Sequence, residues 1–241
     1  MKTNGNTLKA EVNGIDTQYN ENLMAIIGKN IAPTVNSPVR LDTRTPDDKT
    51  KIELIEKHFA EIMNILGLDL SDESLKGTPH RVARMFVKEV FSGLNPYNKP
   101  KIKLFENSFN YNQMLVEKNV IVNSYCEHHF LPFTGKAHIG YISNGSVIGL
   151  SKINRIVQYY ARRPQLQERL TQQIANELKT TLNTEDVAVI IEATHMCVTM
   201  RGVKDENSNT ITASFNGKFL DKDTKDEFLT YINAYSGFIN I

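Results

Sequence analysis

Two short segments rich in soft metal ligands constrain this chain more than anything else in it. They are Ser124-Tyr125-Cys126-Glu127-His128-His129-Phe130 and His195-Met196-Cys197-Val198. Between them they hold both cysteines and three of the six histidines. Zinc accepts thiolate and neutral imidazole, and a catalytic zinc keeps three protein ligands and one open position. If the segments share a metal, the fold must bring them together. Cys126 and His129, three apart, can converge at a turn or strand end. His195 and Cys197, two apart on an extended stretch, point to one side roughly 6.5–7 Å apart along the strand. On this reading Cys126, His129 and Cys197 bind the metal, and His128 and His195 remain for proton transfer. The spacing leaves open a closed structural site with His128 or His195 as fourth ligand. Two thiolates and one imidazole make the zinc centre formally neutral, which makes a neighbouring base more useful. His58, His80 and His138 have no such company and read as ordinary residues.

Composition bears on whether the cysteines pair with each other instead. No apolar core follows a basic start, so no secretory signal is expected. Apolar runs such as Val187-Ala188-Val189-Ile190-Ile191 are too short to span a bilayer. The expectation is a cytoplasmic, reduced chain, in which cysteines beside histidines bind metal or catalyse. Lys+Arg 28 against Asp+Glu 27 leaves a net charge of +1, so neither nucleic acid nor a membrane is expected as a partner. At 241 residues and 40% hydrophobic, the chain suits one large domain, or a smaller one with an appendage.

Residues 1–44 are polar, with Tyr19 the sole aromatic, and read as a mobile N-terminal arm. A helical region is expected over 45–100. Its first helix starts with Thr45 as cap and Pro46 at the first position, then carries Ile52, Ile55, Phe59, Ile62, Met63 and Leu66 at helical spacing. The second opens at Thr78-Pro79 and stops at Ser92-Gly93-Leu94-Asn95-Pro96. The catalytic domain is expected over 101–241. Residues 120–122 are β-prone, and 134–142 alternate with Ala137, Ile139 and Tyr141 on one face. Asn144-Gly145 predicts a two-residue hairpin turn with Ser146-Val147-Ile148 as the return strand. Ser151 is read as the cap of one helix. A second, longer one follows Pro164 with Leu166, Leu170, Ile174, Leu178 and Leu182 inward. Residues 186–200 alternate again, 210–219 are their partner strand, and Thr224-Lys225-Asp226-Glu227 reads as the capping box of a last helix. Hairpins separated by paired helices indicate an α+β fold with an antiparallel sheet.

A second constellation is basic. Ser151, Lys152 and Arg155 open a helix, where free N–H groups favour an anion, and Arg201 follows the second metal segment closely. Glu168, beside Gln167 on the long helix, could accept two donors from a guanine edge, though a surface salt bridge is the default reading.

The chain resembles the GTP cyclohydrolase I family. The resemblance rests on Gly77-Thr78-Pro79-His80-Arg81-Val82-Ala83, Cys126-Glu127-His128-His129 and Val147-Ile148-Gly149-Leu150-Ser151-Lys152-Ile153-Asn154-Arg155. It continues through Arg162-Arg163-Pro164-Gln165-Leu166-Gln167-Glu168-Arg169-Leu170-Thr171, His195-Met196-Cys197 and Met200-Arg201-Gly202, and covers about 47–232. It implies a tunnelling fold: an antiparallel sheet backed by two helices, with an N-terminal helical pair, closing into an oligomeric barrel. It also implies a homodecamer of two pentamers. The implied reaction converts GTP and water to formate and 7,8-dihydroneopterin triphosphate, which enters folate or another reduced-pterin route. By position it assigns zinc to Cys126, His129 and Cys197, and proton transfer to His128 and His195. Glu127 falls near the nucleotide, and Gln167 and Glu168 at the guanine edge. Ser151, Lys152, Arg155, Arg201 and, from a neighbouring subunit, Arg81 fall at the triphosphate. Two alternatives remain: a non-catalytic nucleotide-binding relative with structural zinc, and a zinc hydrolase acting on another purine or pteridine.

Overall fold

The structure, a computed structural model, describes residues 36–39 and 45–234. The expected arm over 1–44 lies outside the described residues except at 36–39, where the Ser37 hydroxyl accepts from Arg163 Nη1 and Gln173 Nε2, each at 3.2 Å.

Helix α1 (Asp48–Ile65) begins two residues later than Thr45 would have it. The Asp47 carboxylate accepts from the Thr50 N–H at 2.8 Å. That bond satisfies one of the free first-turn donors, so Asp47 is the cap. Helix α2 (Thr78–Met85) carries proline in its first turn and continues as a π turn over Phe86–Val90. The wider turn lets the Phe91 N–H reach the Phe86 carbonyl at 3.1 Å and brings the two rings to 5.3 Å.

The remainder is a mixed α+β fold. Strands β1 (Leu104–Glu106), β2 (Met114–Cys126), β3 (Pro132–Ile142) and β4 (Ser146–Ile148) come first. Helix α3 (Leu150–Ala161), β5 (Pro164–Gln165), helix α4 (Gln167–Leu182) and β6 (Val187–His195) follow. The single turn α5 (Met196–Thr199), β7 (Thr210–Phe215) and helix α6 (Lys222–Asn233) complete the chain. Five strands form one sheet in the order β5-β2-β3-β6-β7, antiparallel except for the short parallel pairing of β5 with β2.

Several local expectations give way to tertiary context. The return strand after Asn144-Gly145 does not pair with β3. Both edges of β3 are taken by β2 and β6, so β4 pairs with β1 instead, Ile148 opposite Leu104. Gly149, not Ser151, caps α3, and Asp221 rather than Thr224 precedes α6, which starts early and forms no capping box. The strand expected over 210–219 stops at Phe215, and Gly217–Leu220 is a 3₁₀ turn.

Helices α3 and α4 cover one face of the sheet. Ile153, Ile156, Val157, Leu170, Ile174, Leu178 and Leu182 meet Val122, Phe133, Ala137, Ile139, Tyr141, Val189 and Ile191, all essentially inaccessible. Full burial of each large aliphatic side chain contributes roughly 1.5–3 kcal/mol. The opposite face is covered as well, which alternation in β3 and β6 does not reveal. Phe219 and Phe228, from the turn before α6 and from α6 itself, pack on Met114, Ala188 and Ile190. Gly140 makes room for them: a Cβ there would stand 2.9 Å from the Phe228 ring. Replacing Phe228 by Ala empties the centre of this second cluster and is expected to cost about 3–5 kcal/mol. Thermal or urea unfolding of the purified variant reads the loss, and an unchanged midpoint would contradict the packing described.

Candidate active site

Cys126 ends β2 and is buried, and the chain turns immediately after it. The Cys126 N–H donates to the Leu131 carbonyl and the Phe130 N–H to the Cys126 carbonyl, both at 2.8 Å, closing a loop over 126–131. Phe130 closes it in the left-handed region, at φ +53°. That conformation costs a side-chain-bearing residue strain. Aromatic packing holds it in place. The Phe130 ring lies 5.1 Å from Phe91 and 6.4 Å from Phe86, while Phe91 meets Tyr125 at 5.5 Å. The π turn of the helical pair therefore braces the loop, and His128 and His129 stand exposed at its tip.

The second segment departs from expectation. The extended stretch ends at His195, and Cys197 lies in the helical turn α5, closed by the Met200 N–H on the Met196 carbonyl at 3.0 Å. Pairing explains the change. The β3 ladder starts at Pro132, and its pairing with β6 runs out at Phe133 opposite His195. Residues beyond have no strand partner and satisfy their backbone groups locally. His195 and Cys197 are thus not stacked along one strand face. The turn carries Cys197 back towards the first segment, and donor atoms of Cys126, His129 and Cys197 all lie within 4.8 Å of one another.

That donor set fits a metal. Zn–S bonds of about 2.3 Å and Zn–N bonds of about 2.0 Å put tetrahedral donors roughly 3.3–3.8 Å apart, within about 1 Å of what is present. Burial and the adjacent Cys126 sulfur push the Cys197 thiol up, because a negative sulfur is disfavoured away from water and beside a second sulfur; a cation between the two would reverse that preference. His128 Nδ1 is 3.8 Å from the Cys126 sulfur, and Arg201 Nη1 donates to His129 Nε2 at 3.0 Å.

Both segments are tied to β5 and the first turn of α4. The Glu127 N–H donates to the Gln165 carbonyl at 3.0 Å, and the Glu127 carboxylate pairs with the buried Arg169 guanidinium. Gln167 Oε1 meets His195 Nε2 at 2.7 Å, and the His195 ring stacks on buried Phe133, centroids 4.5 Å apart and 12° from parallel. Burial pulls the His195 pKa below the usual imidazole value, with the nearby Glu168 carboxylate opposing it, because a charged ring is disfavoured away from water. Glu168 is exposed.

The other basic residues make their contacts elsewhere. Ser151 is exposed in the first turn of α3, and Lys152 Nζ donates to the Lys101 carbonyl at 3.0 Å. Arg155 lines a cavity of about 230 Å³ with Gly93, Asn98 and Arg162. Arg81 donates to the Ser74 carbonyl at 3.1 Å and the Thr78 hydroxyl at 2.8 Å. Of the expected anion ligands, Arg201 alone touches the Cys/His group among the described residues. Reading the sequence did not single out Arg169 or Phe133. Arg169 lies inside a quoted motif, but nothing in a string of letters shows which carboxylate it meets.

The GTP cyclohydrolase I family matches residues 55–233 of this chain. The chain belongs to that family. A GTP cyclohydrolase 1 from Flavobacterium johnsoniae is 54% identical over 220 residues, covering 91% of this chain and 99% of the relative. Those of Citrobacter koseri and Escherichia coli are 48% identical over 207 residues, 86% of this chain and 93% of each relative. A solved structure of the archaeosine synthase QueF-Like in the apo form covers 42% of this chain at 17% identity and a TM-score of 0.36, too loose a likeness to bear on the fold.

Two outcomes follow for this member of the GTP cyclohydrolase I family. Cys197→Ser removes one of three metal donors and is expected to abolish metal retention through gel filtration. Full metal occupancy in that variant, by elemental analysis, would refute the donor set. Arg169→Met strands the Glu127 carboxylate and is expected to cost about 3–5 kcal/mol, of which the double variant Glu127→Gln/Arg169→Met recovers part. Unfolding midpoints of the two variants decide this.

Proposed function

We propose that this chain is a GTP cyclohydrolase I. It opens the imidazole ring of guanine in GTP hydrolytically, releases formate, and rearranges the remainder to 7,8-dihydroneopterin triphosphate. The observation that carries the reading is the convergence of Cys126, His129 and Cys197 from two distant segments, with His195 held beside them. Cys126, His129 and Cys197 would hold zinc, which would supply Lewis-acid activation of a water, with a neighbouring histidine as base.

The chain's own residues supply the rest. The Glu168 carboxylate is exposed at the start of α4 and close enough to His195 to influence it, which suits it to accept two N–H donors from the guanine edge. His195 and His128 move protons at the imidazole ring nitrogens as the carbon between them is attacked. Ribose opening and reclosure to the pterin need the same acid/base groups. That neither histidine belongs to the three-donor group favours an open catalytic site over a closed structural one.

Lys152, Arg155, Arg201 and Ser151 bind the triphosphate, with Arg81 contributed by a neighbouring subunit. Lys152, Arg155 and Arg81 contact groups other than the Cys/His cluster within this chain, which favours a site completed on assembly. So does β7, an outer strand of the sheet with Ile211 66% exposed, since an open strand edge is a template for pairing with another chain. The assembly is a tunnelling-fold barrel, a homodecamer of two pentamers in the cytoplasm. The 1–44, 45–100 and 101–241 segments are its arm, helical region and catalytic domain.

Zinc-loaded protein incubated with GTP is expected to release formate and a product that fluoresces as a pterin after oxidation. No turnover by folded, metal-replete oligomer would overturn the reading. His195→Ala is expected to keep its zinc and slow formate release by about 10²–10⁴-fold, the usual worth of a positioned acid/base group.

A further inference from the structure

We propose that Gln167 is a positioning residue for His195 and that its side chain does not contact the substrate. The proposal rests on the reading of His195 as a proton-transfer group, and it departs from the assignment of Gln167 to the guanine edge.

The surroundings of Gln167 determine which way its amide points. The residue opens α4 and is 2% exposed. Its Nε2 lies 3.0 Å from the Ile191 carbonyl and 2.9 Å from the Thr210 carbonyl, with the Thr212 hydroxyl at 3.2 Å. Backbone carbonyls only accept, so the atom facing them is the nitrogen, and both amide hydrogens are used there. Oε1 is therefore the atom 2.7 Å from His195 Nε2. An amide oxygen only accepts as well, so His195 Nε2 carries the hydrogen in this pair.

This accounting leaves the Gln167 side chain no N–H to offer a guanine, while Glu168, one residue on, is exposed. The same bonds fix where the imidazole sits. Ile191 lies on β6 and Thr210 and Thr212 on β7, so the amide is anchored to two paired strands before it meets the ring. Phe133 stacks on one ring face with no exposure of its own, which opposes rotation of the imidazole about its bond to Cβ. Hydrogen bond and stack together hold His195 in one orientation and one neutral tautomer. Proton transfer gains from such placement because a misdirected lone pair loses most of the advantage of proximity.

Gln167→Met keeps the length of the side chain and removes its donor and acceptor. In zinc-loaded full-length protein it is expected to lower kcat for GTP about 10–100-fold. The KM and the equilibrium Kd for GTP should stay within about twofold, and zinc content should be retained. A rise of about tenfold or more in KM or Kd with kcat preserved would make Gln167 a substrate reader and overturn the proposal, as would an unchanged kcat. Should Met at this buried position prevent folding, the wild-type protein still decides. Solid-state ¹⁵N NMR of histidine-labelled protein, with the His195 signals assigned by their loss in His195→Asn, is expected to show neutral His195 protonated at Nε2. The Nδ1-protonated tautomer would overturn the proposal. That measurement does not depend on turnover, so absence of GTP hydrolysis by the wild type would remove the function while leaving the tautomer result to be judged alone.

Discussion

Everything at the site depends on β3 lying between β2 and β6. Two antiparallel pairings across one strand make β2 and β6 run in the same direction, so their C-terminal ends emerge at the same end of the sheet. Tyr125 pairs with Pro132, and Phe133 pairs with His195. The ends are therefore two strand spacings apart, about 10 Å, and side chains with turns can close that gap on a metal. Hydrogen-bond register, not affinity between the ligands, brings Cys126 and Cys197 together.

Register alone leaves each segment free to turn in many directions, and the first turn of α4 removes that freedom. Arg169 holds Glu127, and Gln167 holds His195. A largely buried ion pair of this kind adds little net stability, because desolvating the charges costs about what their attraction returns. Its effect is on position: it ties the 126–131 loop to α4. The strain at Phe130 belongs to the same arrangement, and the aromatic contacts with Phe86 and Phe91 offset it. The helical pair ahead of the sheet thereby becomes part of the site's support although it supplies none of the metal donors.

Periodicity made α3, α4 and the central strands legible because each buries a face, and one buried face leaves a readable pattern. The stripe Leu170, Ile174, Leu178 and Leu182 is an example, inward throughout. Legibility failed where two partners compete or both faces are covered. Ser146-Val147-Ile148 follows a strong hairpin turn yet pairs with β1, because β6 holds the edge it would need. Alternation in β3 hides the packing of Phe219 and Phe228 on its second face. Cap choice failed too: the helices start after Asp47, Gly149 and Asp221 rather than Thr45, Ser151 and Thr224.

The sequence by itself determined the chemical inventory: two thiols and three imidazoles in two clusters, a carboxylate beside an amide, and basic residues around them. Side-chain type and close spacing are local properties, and a string of residues records them completely. The family, too, was legible from ordered motifs. Only the tertiary structure decided which partner each group serves. Gln167 and Glu168 are neighbours in the chain, yet the helix turns one inward onto His195 and the strands and the other outward. Such partners come from strands and loops distant in sequence, and a hydrogen bond between them exists only once the sheet has set their separation.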